Sequence, residues 1–182
     1  MMKHKEDKKG LGLESSIIIF DYYQSLKGKE WIWEFIFPII TSIVITIIYY
    51  CNNTITPALH KLADLLPTTI SILIGFSTMV TTLLITSESK RIEKLKETTV
   101  ENKKIRKNNL TLYRKVLIKS CHSLLIEIIL LFIVFLYLYL HGLNIINGCI
   151  SFLFLLFETL YLIEVLISIF SNIKEIYFAF YG

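Results

Sequence analysis

Four long runs of apolar residues, at 31–50, 67–86, 122–140 and 149–171, dominate this chain. An α-helix needs about 20 mostly apolar residues to cross the ~30 Å hydrocarbon core of a bilayer, and each run is close to that length. Apolar residues make up 54% of the sequence and charged residues only 19%, which is outside the usual range for a soluble domain. The sequence therefore predicts an all-α membrane protein with four transmembrane helices.

The basic residues predict how these helices are oriented. Of the 19 Lys and Arg residues, all but Lys61 lie before the first run, between the second and third, or after the fourth. Loops rich in Lys and Arg stay in the cytoplasm. We therefore expect both termini and the loop at 87–121 to be cytoplasmic, whereas 51–66 and 141–148 lie outside.

The segments that flank the predicted spans have simple expected structures. Residues 1–30 form a cytoplasmic segment with a short interfacial helix, because its apolar stretch is too short to span. Residues 51–66 form an outer loop, 141–148 an outer turn rich in Gly and Asn, and 172–182 a cytoplasmic tail. The scarcity of Ala beside abundant Ile, Lys and Asn indicates an AT-rich bacterial genome. The predicted location is therefore the bacterial inner membrane.

The basic segment 87–121 is predicted to form a cytoplasmic helical hairpin. It contains neither Gly nor Pro, it is rich in helix formers, and Glu93 and Glu97 can pair with lysines three or four residues away. The expected turn lies near Lys107-Asn108-Asn109. A solvated loop with partial helix is the alternative.

We expect this hairpin to bind a soluble cytoplasmic partner protein or anionic lipid headgroups, because it is the only sizeable soluble element and is strongly basic. The basic side chains concerned are Lys90, Arg91, Lys94, Lys96, Lys103, Lys104, Arg106 and Lys107.

Three carboxylic acids, Glu127, Glu158 and Glu164, lie inside the third and fourth runs. A charge in mid-membrane costs about 3 kcal/mol, and no Lys or Arg lies inside a predicted span to offset it. Glu127 and Glu164 are predicted at the same depth, which would place them opposite each other as a cation or proton site. The alternative is a neutral acid hydrogen-bonded to a neighbouring Tyr or Ser. Glu158 is predicted near the midplane, either dry and neutral or charged in a water-filled oligomer axis.

The second run carries small and hydroxyl residues along one face. At about 100° per residue they occupy a stripe roughly 80° wide. Such stripes permit close packing of helices in lipid, so we predict a homo-oligomer packed through this helix, with pore lining as the alternative. The stripe consists of Thr68, Ser71, Gly75, Thr78, Thr82 and Thr86.

Residue patterns typical of enzymes, metal sites and cofactor sites are missing from the sequence. There is no Gly-rich phosphate loop, no His-x-x-x-His, no Gly-x-Ser-x-Gly and no Cys-x-x-Cys. We predict a protein that is not an enzyme and has no metal or cofactor, with His122 and His141 as interface residues. The basic residues flank apolar runs, so nucleic acid is not an expected partner. Cys51 and Cys149 both lie on the predicted outer side, either paired as a disulfide or free.

The architecture resembles that of small membrane-spanning effectors of bacterial anti-phage defence systems. The resemblance rests on four short spans, a charged cytoplasmic hairpin and the stretch Thr69-Ile70-Ser71-Ile72-Leu73-Ile74-Gly75-Phe76-Ser77-Thr78, and it covers most of the chain. It implies that a separate partner senses infection and that this protein then permeabilises the inner membrane or halts growth. The expected function is an oligomeric ion-leak effector. The alternative is a non-conducting membrane anchor or regulatory subunit for a soluble partner.

Overall fold

The computed structural model of the protein describes residues 11–26, 28–105 and 108–181. Its helices are α1 (Leu11–Ser25), α2 (Lys29–Cys51), α3 (Ile55–Thr86), α4 (Lys90–Glu97), α5 (Leu112–Gly142) and α6 (Gly148–Tyr181). Between α4 and α5 lie the antiparallel strands β1 (Thr99–Ile105) and β2 (Asn108–Thr111). Within α2, the residues Ile32–Ile36 form a π-helical turn.

Four of these helices, α2, α3, α5 and α6, are long and apolar enough to cross a membrane. This confirms the mostly helical fold and the predicted number of spans. Aromatic side chains are exposed at both ends of α2, with Trp31 and Trp33 at its start and Tyr49 and Tyr50 at its end. Such pairs are typical of rings that rest at the two membrane interfaces.

Two short connections join the spans at the end of the bundle away from the basic loop. Asn52–Thr54 connect α2 to α3, and residues 143–147 connect α5 to α6. Each contains an asparagine with positive φ, 54° at Asn53 and 55° at Asn144. Asparagine tolerates this left-handed conformation better than most residues, which explains how such short turns reverse the chain.

The predicted outer loop at 51–66 is wrong for most of its length, because α3 begins at Ile55. The physical reason is an apolar face that continues through this segment. Pro67 therefore lies inside the helix and does not start it, as the sequence had suggested. The buried residues on the face of this helix are Ile55, Leu59, Ala63, Leu66 and Ile70.

The third and fourth spans also extend further than predicted. The helix α5 starts at Leu112, where the Thr111 side chain accepts a hydrogen bond from the Arg114 backbone N–H at 3.2 Å. Such a cap satisfies a backbone donor that a helix start leaves free. The helix α6 continues through the predicted tail at 172–182 as far as Tyr181.

The predicted helical hairpin at 87–121 is replaced by a short helix and a β-hairpin. The helix α4 is capped by Ser89, whose side chain accepts from the Ile92 backbone N–H at 3.4 Å, and ends at Glu97. Three β-branched residues, Thr98, Thr99 and Val100, then favour an extended chain over a helix. The reversal falls between Ile105 and Asn108, close to the predicted turn.

The apolar core lies between α3, α5 and α6. Packed against this trio, α2 contacts α6 and α1 contacts α5. Leu59, Leu130, Val134 and Leu155 are fully buried within it. We call the end of the bundle that carries α1, α4 and the β-hairpin the basic end, and there the buried interior becomes polar.

Candidate functional site

A buried ionic cluster of four side chains, Tyr22, Glu34, Lys119 and Ser171, lies at the basic end. The Lys119 Nζ donates to Glu34 Oε1 at 3.0 Å and to Ser171 Oγ at 2.6 Å. In turn, Ser171 Oγ donates to Glu34 Oε1 at 2.7 Å, and Tyr22 OH donates to Glu34 Oε2 at 2.5 Å. Both carboxyl oxygens of Glu34 are therefore hydrogen-bonded, which offsets the cost of burying the charge.

Each member of the ionic cluster comes from a different helix. Tyr22 lies on α1, Glu34 on α2, Lys119 on α5 and Ser171 on α6. Glu34 occupies the middle of the π-helical turn Ile32–Ile36, where the backbone departs from regular α-helix. The cluster thus fixes the positions of four helices relative to one another.

A second layer of ion pairs lies one turn further toward the basic end. Lys115, which is itself buried, pairs with Glu175 at 2.5 Å and with Glu30 at 3.2 Å. The Glu175 carboxyl also lies 3.6 Å from Lys119 Nζ, so the two layers are continuous. Buried lysines are tolerated only when paired in this way.

The two tyrosines of α1 act as hydrogen-bond donors to buried carboxyls. Burial, and next the Glu34 carboxylate, raise the pKa of Tyr22 far above its usual value. Burial, and next the Glu164 carboxyl, raise the pKa of Tyr23 in the same direction. Both phenols therefore stay protonated at neutral pH and remain able to donate.

A cavity of about 210 Å³ with a mostly apolar lining lies between α1, α2, α5 and α6. Its polar lining comes from Tyr23, Glu34, His122, Tyr161 and Glu164. Tyr23 OH donates to Glu164 Oε1 at 3.2 Å, and His122 Nε2 lies 3.7 Å from that same oxygen. This arrangement gathers two carboxyls, one imidazole and two phenols around one space.

His122 is the least satisfied member of this cavity wall. Its side chain is 0% exposed, and its ring stacks on Tyr22 with centroids 3.5 Å apart. Neither ring nitrogen has a hydrogen-bond partner among the described residues. The imidazole of His122 therefore lies inside the bundle, and its position at the depth of the membrane interface stays a prediction.

The predicted pairing of Glu127 with Glu164 is not what the structure shows, because each carboxyl has its own partners. Ser77 Oγ and Ser123 Oγ donate to Glu127 Oε1 at 2.7 and 3.1 Å. Glu164 accepts from Tyr23. Both contacts match the alternative prediction of acids hydrogen-bonded to a neighbouring Ser or Tyr.

Glu158 lies deep in α6, one helical turn from the buried Leu155 of the apolar core. It is 0% exposed, and neither carboxyl oxygen has a hydrogen-bond partner in the described part of the chain. Because the chain's own helices surround it, this side chain does not face the outside of the bundle. Its position favours the dry, neutral alternative over the one in an oligomer axis.

The predicted stripe on α3 is exposed along its entire length. Thr68, Ser71, Gly75, Thr78, Thr82 and Thr86 all face away from the bundle. Some hydroxyls bond to their own helix, as Ser71 Oγ does to the Pro67 carbonyl at 2.7 Å and Thr86 Oγ1 to the Thr82 carbonyl at 2.9 Å. Apart from its two chain neighbours and the nearby backbone of its own helix, no described residue has an atom within 4 Å of a Cβ placed on Gly75. The stripe is thus free of contacts that its own chain requires.

The basic residues predicted to bind a partner are only partly described. Lys90, Lys94 and Lys96 are exposed on α4, and Lys96 Nζ lies 5.2 Å from the centroid of the Tyr113 ring. Arg91 lies on the same helix, and Lys103 and Lys104 lie on β1. Arg106 and Lys107 fall outside the described residues.

In the parts of the chain that the structure describes, few side chains are placed to form a metal site or a disulfide. There, no three His, Cys, Asp or Glu side chains are grouped as a metal site would require. Cys51, Cys121 and Cys149 are free thiols, and the two at the far end of the bundle, Cys51 and Cys149, are exposed.

Sequence reasoning missed Glu34 and Lys119 as partners. Glu34 lies three residues inside the first apolar run, and Lys119 lies three residues before the third. In the predicted topology the first and third spans run in the same direction, so their first turns lie at about the same depth, and an unpaired charge there calls for an opposite one. The similar depth of Glu34 and Lys119 was the feature of the sequence from which their pairing could have been predicted.

The chain matches no family model, and neither a curated protein nor a solved structure matches it significantly.

Proposed function

We propose that this protein is an ion-leak protein of the bacterial cytoplasmic membrane that acts as a homo-oligomer assembled through α3. The observation that carries the proposal is the exposed stripe of Ser, Thr and Gly on that helix. It lies on the side opposite the buried face marked by Leu59, Ile70 and Ser77. The helix α3 is long enough to span the membrane, and its Ser, Thr and Gly stripe thus faces away from its own bundle.

A second copy of the chain is the natural cover for this stripe. Lipid tails provide no hydrophobic drive for helix association, so small residues that permit close backbone approach are the usual means of packing. Around an oligomer axis, the hydroxyls of Thr78 and Thr82 would also give water and ions a polar wall. Assembly of the oligomer and ion leak would then both depend on the Ser, Thr and Gly stripe of α3.

The proposed orientation places the basic end in the cytoplasm. The exposed Lys90, Lys94 and Lys96 lie at this end, and loops rich in such residues stay inside. The opposite end carries only the connections Asn52–Thr54 and 143–147, which are too short for a binding domain. A separate partner that senses the trigger would therefore act from the cytoplasmic side.

The role as an effector of antiviral defence rests on the resemblance in architecture. In this proposal a partner detects phage infection, and the oligomer then permeabilises the inner membrane. The described chain holds four spans and one small extramembrane module, which suits a protein that responds to a sensor.

A non-conducting anchor is the second candidate, and the module made of α4, β1 and β2 favours it. Four apolar side chains of this module are buried, and its helix and strands offer a surface to a soluble partner. The four buried side chains are Ile92, Leu95, Ile105 and Leu110.

The test compares Gly75→Leu with Thr69→Leu. Gly75 lies on the stripe and a Cβ there meets no described atom of another helix of its own chain, whereas Thr69 is exposed on the same helix but outside the stripe. We expect wild type and Thr69→Leu to form one oligomer in native mass spectrometry and to release ions from liposomes. Gly75→Leu should lose both properties and keep its helical circular dichroism.

Two results would contradict the proposal. A wild-type monomer in mild detergent, or an unchanged oligomer in Gly75→Leu, would remove the assembly face. An intact oligomer that conducts nothing, even with its partner present, would favour the anchor.

A further inference from the structure

We propose that the cavity between α1, α2, α5 and α6 binds a small organic ammonium ion. This inference does not depend on the leak or on assembly through α3. It rests on the charge of the cavity wall, on the unsatisfied imidazole of His122, and on the size and lining of the space.

One carboxyl in the cavity wall, that of Glu164, has no Lys or Arg partner among the described residues. Glu34 also lines the cavity, but Lys119 lies 3.0 Å from it and supplies the opposite charge. Glu164 is 8% exposed and has Tyr23 and His122 as its neighbours, and no described Lys or Arg forms an ion pair with it. A bound cation would supply the missing charge.

His122 gives independent evidence for a ligand that donates hydrogen bonds. A neutral imidazole has one acceptor nitrogen, and burying it without a donor is costly. Its Nε2 lies 3.7 Å from Glu164 Oε1. An ammonium ion bound at Glu164 would therefore lie close to the imidazole.

The rest of the lining suits an organic group better than a bare ion. Tyr23, Phe35 and Tyr161 provide aromatic rings, which attract cations, and Ile39 and Leu160 provide apolar surface. The volume of about 210 Å³ exceeds the ~150 Å³ of an engineered cavity that holds benzene. An ion of the size of benzylammonium therefore fits. In the described part of the chain, no group of three metal-ligating side chains competes for this space.

The experiment measures binding of benzylammonium to the full chain in phosphatidylcholine nanodiscs by isothermal titration. Benzyl alcohol serves as the neutral ligand of similar size, and Glu158→Gln serves as the matched control on α6, because Glu158 does not line the cavity. We expect saturable binding to wild type and to Glu158→Gln. Glu164→Gln should bind at least tenfold more weakly, and benzyl alcohol should bind wild type at least tenfold more weakly than benzylammonium.

A second measurement needs no variant. With ¹⁵N-labelled histidine, benzylammonium should shift one of the four imidazole signals of wild type, and benzyl alcohol should shift none. The proposal is overturned if Glu164→Gln binds as tightly as wild type, if the alcohol binds equally well, or if no imidazole signal responds. Because neither readout involves conductance, a failed leak assay leaves this test intact.

Discussion

The two halves of the helix bundle are held together by different kinds of contact. At the basic end, the buried side chains that link the helices are ionisable, as in the pair Glu34 and Lys119. In the opposite half they are apolar, with Leu59, Leu130 and Leu155 fully buried. In lipid, apolar side chains are nearly as well solvated outside a bundle as inside it. The difference teaches that charge and hydrogen-bond geometry select which helices meet at the basic end, whereas the shape of packed apolar side chains does so for the most part in the other half.

Breaking the pair at the basic end should have the largest effect. We expect Lys119→Met to lower the free energy of unfolding by about 3–5 kcal/mol, because Glu34 would stay buried without its opposite charge. The measurement is unfolding in mixed micelles followed by circular dichroism. The double variant Lys119→Met/Glu34→Gln should recover part of the loss. Equal losses in the single and double variants would mean that the pair does not organise this end.

A substitution in the apolar half should have a smaller effect, with no dependence on the ionic cluster. We expect Leu130→Ala to cost about 2–3 kcal/mol, since it leaves a cavity in the core. Combined with Glu34→Gln, its effect should be additive, because the two sites share no contacts. Phe132→Ala on the same helix is the control, since Phe132 is 66% exposed and should change little. Strong non-additivity would show that the two halves are coupled.

The sequence predicted the number of spans because span length is a physical requirement that each apolar run reports locally. It also offered Ser and Tyr as hydrogen-bond partners of Glu127 and Glu164, since these are the usual donors to a buried acid. The ionic cluster was missed because its members are far apart in the chain and lie at the edges of the runs. The β-hairpin was missed because freedom from Gly and Pro was weighed above the β-branched run 98–100. The two failures differ in cause, because the ionic cluster depends on contacts between segments whereas the signal for the strand is local.

The smallest of these effects concerns the helix α1. Tyr22→Phe removes one hydrogen bond to the Glu34 carboxylate and keeps the ring that stacks on His122. We expect a loss of about 1.5–2 kcal/mol, at the lower end of the usual contribution of a hydrogen bond to a charged group. Amide hydrogen exchange in α1 should become faster, while exchange in α3 stays unchanged. Equal acceleration in both helices would indicate that α1 is not held separately by the cluster.

The most direct test of the account asks on which side of the membrane each half of the bundle lies. In a background where Cys51, Cys121 and Cys149 are replaced by Ser, single cysteines are placed at Lys96, Asn53 and Asn147. A membrane-impermeant maleimide is then applied to intact cells and to opened membranes. We predict that Asn53→Cys and Asn147→Cys react in intact cells, and that Lys96→Cys reacts only after the membrane is opened. Labelling of Lys96→Cys in intact cells, with protection of Asn53→Cys, would contradict the orientation and the cytoplasmic placing of the basic end.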